Sequence, residues 1–279
     1  MFFIISGLLG YAFGLYFGDA YVGVAFAVII STIMTLVSFY SGDRIILGMS
    51  HAVPADKRRY PHLVNTVEGL AIAAGIQAPK IYVIDDTAIN AFATGRDPKH
   101  ASVTVTTGAL SRLKRDELEG VIAHELSHIR NYDIMMMMFV VVLVGVIALL
   151  SDMFLRSMFY GRGRRNSRGG GIIAVVIIII GLVLAILSPL IAQLIKLAVS
   201  RKREFLADAD GALLSRNPGG LASALKKIKN DKEPLVEAAN KATAHLFIEN
   251  PLRTFGGRIN VLFATHPDIN ERIKRLESP

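Results

Sequence analysis

The stretch AHELSHIRNYDIMMMMFVVVLVG, residues 123–145, decides how this chain is organised, because it joins two patterns of opposite chemistry. Its first half contains the pattern H-E-x-x-H, which predicts a metal site on a helix. Its second half begins an apolar run without charged residues, of the kind that lies in a bilayer. The sequence therefore predicts a hydrolytic metal centre directly beside a membrane segment.

The first half supplies two metal ligands and a base. His124 and His128 are four residues apart, so on a helix both imidazoles lie on one face and can reach one ion. Glu125 adjoins the first ligand, where a carboxylate can take a proton from an activated water molecule. A catalytic zinc takes three protein ligands and keeps one position for water.

The chain has no cysteine, so the third ligand must be another histidine or a carboxylate. The carboxylate that fits best is Glu204, in the stretch SRKREFLADADG (200–211), because it follows an apolar run directly, just as His128 precedes one. An antiparallel membrane hairpin would bring both positions to one face of the bilayer. Asp208 lies one helical turn after Glu204, so it can accept the free ring N–H of a ligating histidine. The histidines that remain as alternatives are His51, His62, His100, His245 and His266.

Composition and patterning indicate a membrane protein. The chain has 279 residues, 52% of them hydrophobic, and a mean hydropathy of +0.44, which is too apolar for an ordinary soluble domain. The net charge of +8 fits Lys and Arg residues that flank membrane spans. RNP-like aromatics, zinc-knuckle cysteines and basic recognition helices are all missing, so no nucleic-acid partner is expected. The apolar runs are residues 2–17, 21–40, 134–150 and 172–198.

The first apolar run contains a regular series of glycines, Gly10, Gly14 and Gly18. This GxxxG spacing has two interpretations. Either the glycines let this helix pack closely on the second run, or they are merely tolerated in a membrane helix.

Two polar segments, 41–133 and 200–279, are predicted to form the catalytic domain. The first contains an amphipathic helix from Pro61 to Gly75 with Ile72 on its apolar face, strands at 80–85 and 102–107, and a helix at 116–130. The second contains helices at 202–214 and 220–228, separated by the break NPGG.

The predicted fold is therefore mainly α with a small β-sheet, in a polytopic membrane protein with a zincin-like catalytic domain. The predicted divisions are a transmembrane hairpin (1–40), a first catalytic part (41–133), a transmembrane or re-entrant hairpin (134–199) and a second catalytic part (200–279).

Longer stretches make a family resemblance specific. They are NAFATG (90–95), RDELEGVIAHELSHIRNYD (115–133), SRKREFLADADGALLSRNP (200–218) and FATHPDINERIKRL (263–276). Together with the order of the apolar runs, they resemble the HtpX family of membrane zinc endopeptidases and, more distantly, the type I CAAX prenyl proteases. The resemblance implies one zinc per chain, with His124, His128 and Glu204 as ligands and Glu125 as the catalytic base.

The resemblance also implies roles for residues outside the ligand set. In relatives, the loop and strand at Asn90 form an edge that aligns a substrate backbone by strand addition. His266 matches a His-Pro motif, which implies that it donates to the oxyanion of the tetrahedral intermediate. Arg272 lies in the same motif and is expected to hold His266, Asp208 or a substrate carbonyl.

The two halves of the metal site must lie on one side of the membrane. Short basic flanks on that side predict that it is cytoplasmic, in a multi-pass protein of the plasma membrane. The loop GRGRRNSRGG (161–170) conflicts with this orientation, because its arginines would have to cross the bilayer. Either the segment 134–199 enters the bilayer without crossing it, or two very apolar runs carry the loop across.

The predicted function is zinc-dependent endoproteolysis of misfolded or damaged membrane proteins on the cytoplasmic side, in protein quality control. The expected partners are unfolded or membrane protein substrates and the lipid bilayer, with no prediction for the oligomeric state. Two alternatives stay open. A non-catalytic membrane scaffold braced by a structural zinc would have no use for the base Glu125. A prenyl-protein protease would need a large intramembrane chamber built from more than four spans.

Overall fold

A computed structural model describes residues 19–140, 201–231 and 267–278, together with Gly7, Gly10, Tyr11 and Gly14. The described chain is mainly helical with one small sheet, as the sequence predicts. Residues 133–140 are helical as well. The other elements, in chain order, are α1 (Ala20–Met49), β1 (Val53–Pro54), α2 (Pro61–Ala74), β2 (Lys80–Ile84), β3 (Ala91–Gly95), a 3-10 turn (Pro98–His100), β4 (Ala101–Thr106), α3 (Thr107–Arg112), α4 (Arg115–Arg130), α5 (Arg201–Ser215), α6 (Pro218–Asn230) and α7 (Ile269–Glu277).

Helix α1 is the membrane-span candidate among the described residues. It begins after Asp19, whose carboxylate accepts the N–H groups of Tyr21 and Val22. Its 30 residues exceed the roughly 20 that cross a bilayer, and it continues to Met49, past the apolar run that ends at Tyr40. Its exposed side chains are large and apolar, as in a helix that faces lipid, and include Tyr21, Val22, Phe26, Ile29 and Ile33.

Glycines allow a close helical neighbour against α1. A Cβ atom on Gly23 would lie 2.1 Å from the carbonyl oxygen of Gly10 and 2.6 Å from Cα of Gly14. This approach favours the first interpretation of the GxxxG spacing, in which the glycines let two helices pack closely. Gly18, most of the run 2–17 and the hairpin 134–199 beyond residue 140 lie outside the described residues, so their crossing of a membrane stays a prediction.

The sheet has the strand order β1-β2-β4-β3. Strands β2 and β4 are parallel, whereas β1 and β3 run antiparallel to their neighbours. The register of β3 pairs Ala91 with Val105 and Gly95 with Ala101. In the described part of the chain, β3 is therefore one edge of the sheet.

The elements predicted in the polar segments are present at nearly the predicted bounds. Helix α2 ends at Gly75, whose φ of 68° lies in the left-handed region that glycine adopts without strain. One position of its apolar face is predicted wrongly. Ile72 is 81% exposed and Ala71 is buried instead. The buried face of the helix contains Leu63, Val67 and Leu70, and Ala71 lies on that face whereas Ile72 does not.

Helix α4 lies at the centre of the described fold and packs against α5, α6 and β3. Two glycines let the neighbouring helices approach it closely. A Cβ on Gly211 of α5 would lie 3.0 Å from the backbone nitrogen of His124, and a Cβ on Gly220 of α6 would lie 2.5 Å from the carbonyl oxygen of Asp116. The apolar residues of α4 complete the core, and Val121, Ile122, Leu126 and Ile129 are at most 1% exposed.

A second apolar cluster joins α1 to the edge strand. Ile46 of α1 packs with Phe92 of β3 and with Met137 and Met138. Just beyond β3, the guanidinium of Arg96 lies 5.3 Å from the ring centroid of Tyr40, in a cation–π contact. The candidate membrane helix and the edge of the sheet are thus held together at two points.

Candidate metal centre

Helix α4 carries the H-E-x-x-H residues on a face that other elements enclose. His124, Glu125 and His128 are 1%, 3% and 4% exposed, respectively. Polar side chains buried to this degree are normally satisfied by specific partners. The partners of the two histidines come from α5, from α7 and from the chain just after α4.

His124, His128 and Glu204 each bring a ligand atom to a common point, within 4.8 Å of one another. The two histidine Nε2 atoms lie 3.2 Å apart. Oε1 of Glu204 is 3.5 Å from Nε2 of His128, and Oε2 is 3.8 Å from Nε2 of His124. Two ligands about 2.0–2.1 Å from a tetrahedral ion lie about 3.3 Å apart, so the three groups fit around one divalent metal ion.

Asp208 holds the imidazole of His124. It lies one turn after Glu204 on α5, and its Oδ1 is 3.0 Å from Nδ1 of His124. An ionised carboxylate accepts this ring N–H, which leaves Nε2 to face the ligand set. Burial alone would raise the pKa of Asp208, but the charge of Arg272 and the hydrogen bonds from Arg272 and His124 lower this pKa to about 2.

Arg272 of α7 is 1% exposed and is the cation of this part of the site. Its Nε donates to Oδ2 of Asp208 at 2.9 Å and its Nη2 donates to Oδ1 at 2.7 Å. Its Nη1 lies 3.5 Å from Oε2 of Glu204. Arg272 therefore contacts Asp208, which is one of the three partners that the sequence predicts for it.

Asp133 holds the second imidazole in the same manner. Its Oδ2 lies 3.0 Å from Nδ1 of His128, and its Oδ1 accepts a hydrogen bond of 2.6 Å from Nη1 of Arg203. Burial alone would lower the pKa of His128, but the hydrogen bond with Asp133 and the charges of Glu204 and Glu125 raise it to about 9. His128 thus lies in a strongly anionic environment, of the kind that a metal cation also favours.

Asn90 lies directly before β3, which packs on α4. It is 5% exposed, and its carbonyl oxygen accepts the N–H of Thr106 at 3.0 Å. Its side-chain Oδ1 accepts the N–H of Ala91 at 3.0 Å. The other residue predicted outside the ligand set, His266, lies outside the described residues.

Sequence reasoning does not find Asp133 and Arg203. Arg203 belongs to a basic run that flanks an apolar segment, which by itself indicates a membrane anchor. Asp133 stands five residues after His128, a spacing that points away from His128 on a continuous helix. The contact forms because α4 ends at Arg130 and Tyr132 adopts a φ of 61°. The only sequence signal is that Asp133 is the last charged residue before the apolar run.

Comparisons with known proteins agree with this geometry. Residues 57–279 match the family described as Peptidase family M48. A relative named "Protease HtpX homolog" from Caldanaerobacter subterraneus subsp. tengcongensis is 48% identical over 280 residues, which cover 100% of this chain and 92% of the relative. A protein of the same name from Ligilactobacillus salivarius is 42% identical and covers 99% of this chain and 93% of the relative.

A solved structure shares the fold. The crystal structure of S. mikatae Ste24p matches with a TM-score of 0.54 at 21% sequence identity, over 99% of this chain and 62% of that protein. Because the family match covers most of the chain and the relatives align with nearly all of it, the chain belongs to peptidase family M48 and is an HtpX-like metallopeptidase.

Proposed function

We propose that this chain is a membrane-bound, zinc-dependent endopeptidase that cleaves misfolded or damaged membrane proteins on the cytoplasmic side of the plasma membrane. The observation that carries the proposal is the convergence of His124, His128 and Glu204, with Glu125 beside the first of them. A hydrolytic metal centre needs a base at that position, whereas a structural one does not.

The donor set supports zinc as the metal. Two imidazoles and one carboxylate are ligands of catalytic zinc sites, and each imidazole here has its second ring nitrogen on a carboxylate. His124, His128 and Glu204 would hold one zinc per chain. When bound, zinc would polarise the scissile carbonyl and lower the pKa of a water molecule.

Glu125 is the proton carrier of the proposed mechanism. It takes a proton from the attacking water and passes it to the leaving amine, in the roles of general base and then general acid. Its burial at 3% exposure shields these transfers from bulk water. By its motif, His266 supplies a donor for the oxyanion, whereas Arg272 holds Asp208.

Strand addition to β3 is the proposed mode of substrate binding. Because the carbonyl of Asn90 bonds to β4, the alternation of an antiparallel ladder turns the main-chain groups of Ala91, Ala93 and Gly95 away from β4. All five residues of β3 are buried, so this edge must first be uncovered; an extended substrate can then pair with these groups through its own main chain, whatever its side chains. Such binding favours unfolded segments over any particular sequence.

The contacts of β3 with α1 support membrane proteins as substrates. Phe92 packs against Ile46, and Arg96 lies over Tyr40, so the proposed binding edge is fixed to the candidate membrane helix. A chain that emerges from the bilayer beside α1 would meet this edge first. The basic flanks of the apolar runs support a cytoplasmic position of the site in a multi-pass protein.

The decisive experiment compares full-length protein with its Glu125→Gln variant. Both are purified in detergent with a chelator, reloaded with zinc, and tested on casein and on an unfolded membrane protein. We expect both to bind one zinc per chain and the variant to cleave at least about 100-fold more slowly, since a general base contributes 10²–10⁴-fold. Glu119→Gln, on the same helix, should cleave like the parent. Full activity in Glu125→Gln would refute the mechanism, and zinc without cleavage in the parent would favour the scaffold.

A prenyl-protein protease is distinguished by a second substrate pair. The same peptide is offered with and without a prenyl group near its C-terminus. We expect similar cleavage of both, because main-chain pairing with β3 does not involve the lipid. A preference of more than about tenfold for the prenylated peptide, equal to about 1.4 kcal/mol, would favour the alternative.

A further inference from the structure

The two histidines of the centre are held by two parallel sets of side chains. In the first set, Arg272 holds Asp208 and Asp208 holds His124. In the second set, Arg203 holds Asp133 and Asp133 holds His128. Each imidazole thus presents Nε2 to the common point and has Nδ1 on a carboxylate that a guanidinium fixes.

We infer that Asp133, held by Arg203, is the positioning residue for His128: it fixes the ring orientation and the tautomer that leaves Nε2 free to bind the metal. This inference rests on the metal site of the proposed function and extends it by two residues.

Burial and geometry carry the inference. Asp133 is 3% exposed, and both of its carboxylate oxygens are used, Oδ2 by His128 and Oδ1 by Arg203. Tyr132 adopts a φ of 61°, a conformation that costs a residue other than glycine about 1 kcal/mol or more. The chain accepts this strain at the position that turns Asp133 back toward His128.

The two sets differ in how firmly they are enclosed. Arg272 has 1% of its side chain exposed, whereas Arg203 has 36%. Solvent weakens an exposed ion pair, so the Arg203–Asp133 pair is the weaker support. We therefore expect a graded response in which loss of Asp133 matters more than loss of Arg203.

The test measures metal affinity in full-length protein that carries Glu125→Gln, which excludes self-cleavage as a complication. Zinc affinity is read by competition with a chromophoric chelator, and the visible spectrum of the cobalt-loaded protein reports ligand geometry. Loss of an outer hydrogen-bond partner typically weakens metal binding 10–100-fold. We expect about that loss for Asp133→Ala and a smaller loss for Asp133→Asn, whose amide oxygen still accepts the ring N–H. Asp133→Ala should also change the cobalt spectrum.

Two further variants keep the test decisive. Arg203→Met leaves Asp133 in place and should weaken zinc binding about 3–10-fold, below the range for the carboxylate itself. Asp231→Ala is the matched control, because Asp231 is also a buried aspartate paired with an arginine, Arg112, with 7% side-chain exposure against 5% for Asp133. Its zinc affinity should stay within about twofold of the parent, which is below the range for an outer partner.

Specific outcomes overturn the inference. Zinc affinity in Asp133→Ala within twofold of the parent would do so, and so would equal losses in Asp133→Ala and Asp231→Ala, which would indicate a general effect on folding. A parent that binds no zinc would instead overturn the proposed function. The two failures are therefore distinguishable.

Discussion

The Nε2 atoms of His124 and His128 lie 3.2 Å apart while their rings stand at 89° to each other. Each ring is turned by its own carboxylate, Asp208 or Asp133, so that the two nitrogens meet. The separation matches that of two ligands on one tetrahedral ion. The protein scaffold itself therefore sets the ligand geometry, and binding requires little rearrangement of these rings.

Glu204→Gln should weaken zinc binding more than the variants of Asp133. The substitution removes the anionic ligand, so we expect a loss of more than about 100-fold, beyond the range for outer partners. Competition with a chelator measures it, and Glu68→Gln, at a glutamate of α2 whose side chain is 45% exposed, serves as the control. Unchanged affinity in Glu204→Gln would mean that the third ligand is another residue.

The pair of Asp208 and Arg272 should behave as a coupled unit in unfolding experiments. Arg272→Met leaves buried anions without their cation, which costs about 3–5 kcal/mol for a buried pair. The double variant Asp208→Asn with Arg272→Met should be less destabilised than the two single variants added together. Denaturant unfolding in the presence of a chelator gives the three free energies. Strict additivity would show that the two side chains do not depend on each other.

Gly211→Ala should impair metal binding and reduce stability by at most about 2 kcal/mol. The added methyl would lie 3.0 Å from the backbone nitrogen of His124 and 3.1 Å from its Cα, so α5 must move away and take Glu204 and Asp208 with it. The gain in helix propensity, about 1 kcal/mol, offsets only part of an overpacking cost of about 1–3 kcal/mol, so a net loss of stability of about 0–2 kcal/mol is expected.

Gly69→Ala on α2 is the matched control for this variant, since nothing lies within 4 Å of its added methyl. We expect it to raise the free energy of unfolding by about 1 kcal/mol and to leave zinc affinity unchanged. Equal zinc affinities in the two alanine variants would contradict the proposed role of the α4–α5 contact.

Glu117 should make the fold sensitive to acid. Burial alone would raise its pKa, but hydrogen bonds from Lys227, the Lys114 N–H and Ser223 lower it below the ordinary value of 4.5. A carboxylate with a lowered pKa contributes stability above the pKa of the unfolded chain and loses it as the pH falls through the folded pKa. The stability difference between parent and Glu117→Gln, about 2 kcal/mol at neutral pH for charged hydrogen bonds, should therefore shrink in acid.

Thermal unfolding followed by circular dichroism measures this difference, since the chain contains no tryptophan. Glu119→Gln, on the same helix, is the control. A difference between parent and Glu117→Gln that stays constant from neutral pH to pH values below 4.5 would contradict the assignment to this carboxylate.

Substrate pairing with β3 predicts a periodic response to backbone methylation. In an extended peptide, the N–H groups at alternate positions face β3. Methylation of these nitrogens removes the donors, whereas methylation of the nitrogens between them leaves the donors in place. Methylation of the nitrogens that face β3 should therefore raise KM strongly, whereas methylation of the other nitrogens should have little effect on KM. Equal effects of both methylation patterns would exclude strand addition at this edge.

Local patterns predict the central helix and its ligands, because the evidence for them lies within a few residues. The spacing of His124 and His128 defines a common face, and the apolar Val121, Ile122 and Leu126 show how the helix is buried. Glu204 requires more, since it comes from a helix more than seventy positions away; its place directly after an apolar run favours it, and the family resemblance supports the same choice. The roles of Asn90 and His266 stay predictions.

Elements without a periodic signal are not predictable from such patterns. All five residues of β3 are buried, so the strand lacks the alternation that identifies a half-exposed strand. Helix α1 extends past Tyr40 because polar residues such as Asp43 and Arg44 end an apolar run without ending a helix. The contact of Asp133 with His128 depends on one unusual backbone angle at Tyr132, which the sequence does not encode in any simple pattern.

The paired arrangement around the histidines also fixes the charge of the centre. Four carboxylates lie buried there against two guanidiniums, which leaves two net negative charges when the imidazoles are neutral. These groups are Asp133, Asp208, Glu125 and Glu204, with Arg203 and Arg272. An uncompensated buried charge is costly, and one dication cancels this deficit where a monovalent or trivalent ion would not. Against the effect of burial, the hydrogen bond with Asp133 and the charges of Glu204 and Glu125 also favour a proton on His128, whose pKa they raise to about 9. Protons and a divalent metal therefore compete for the same ligand groups.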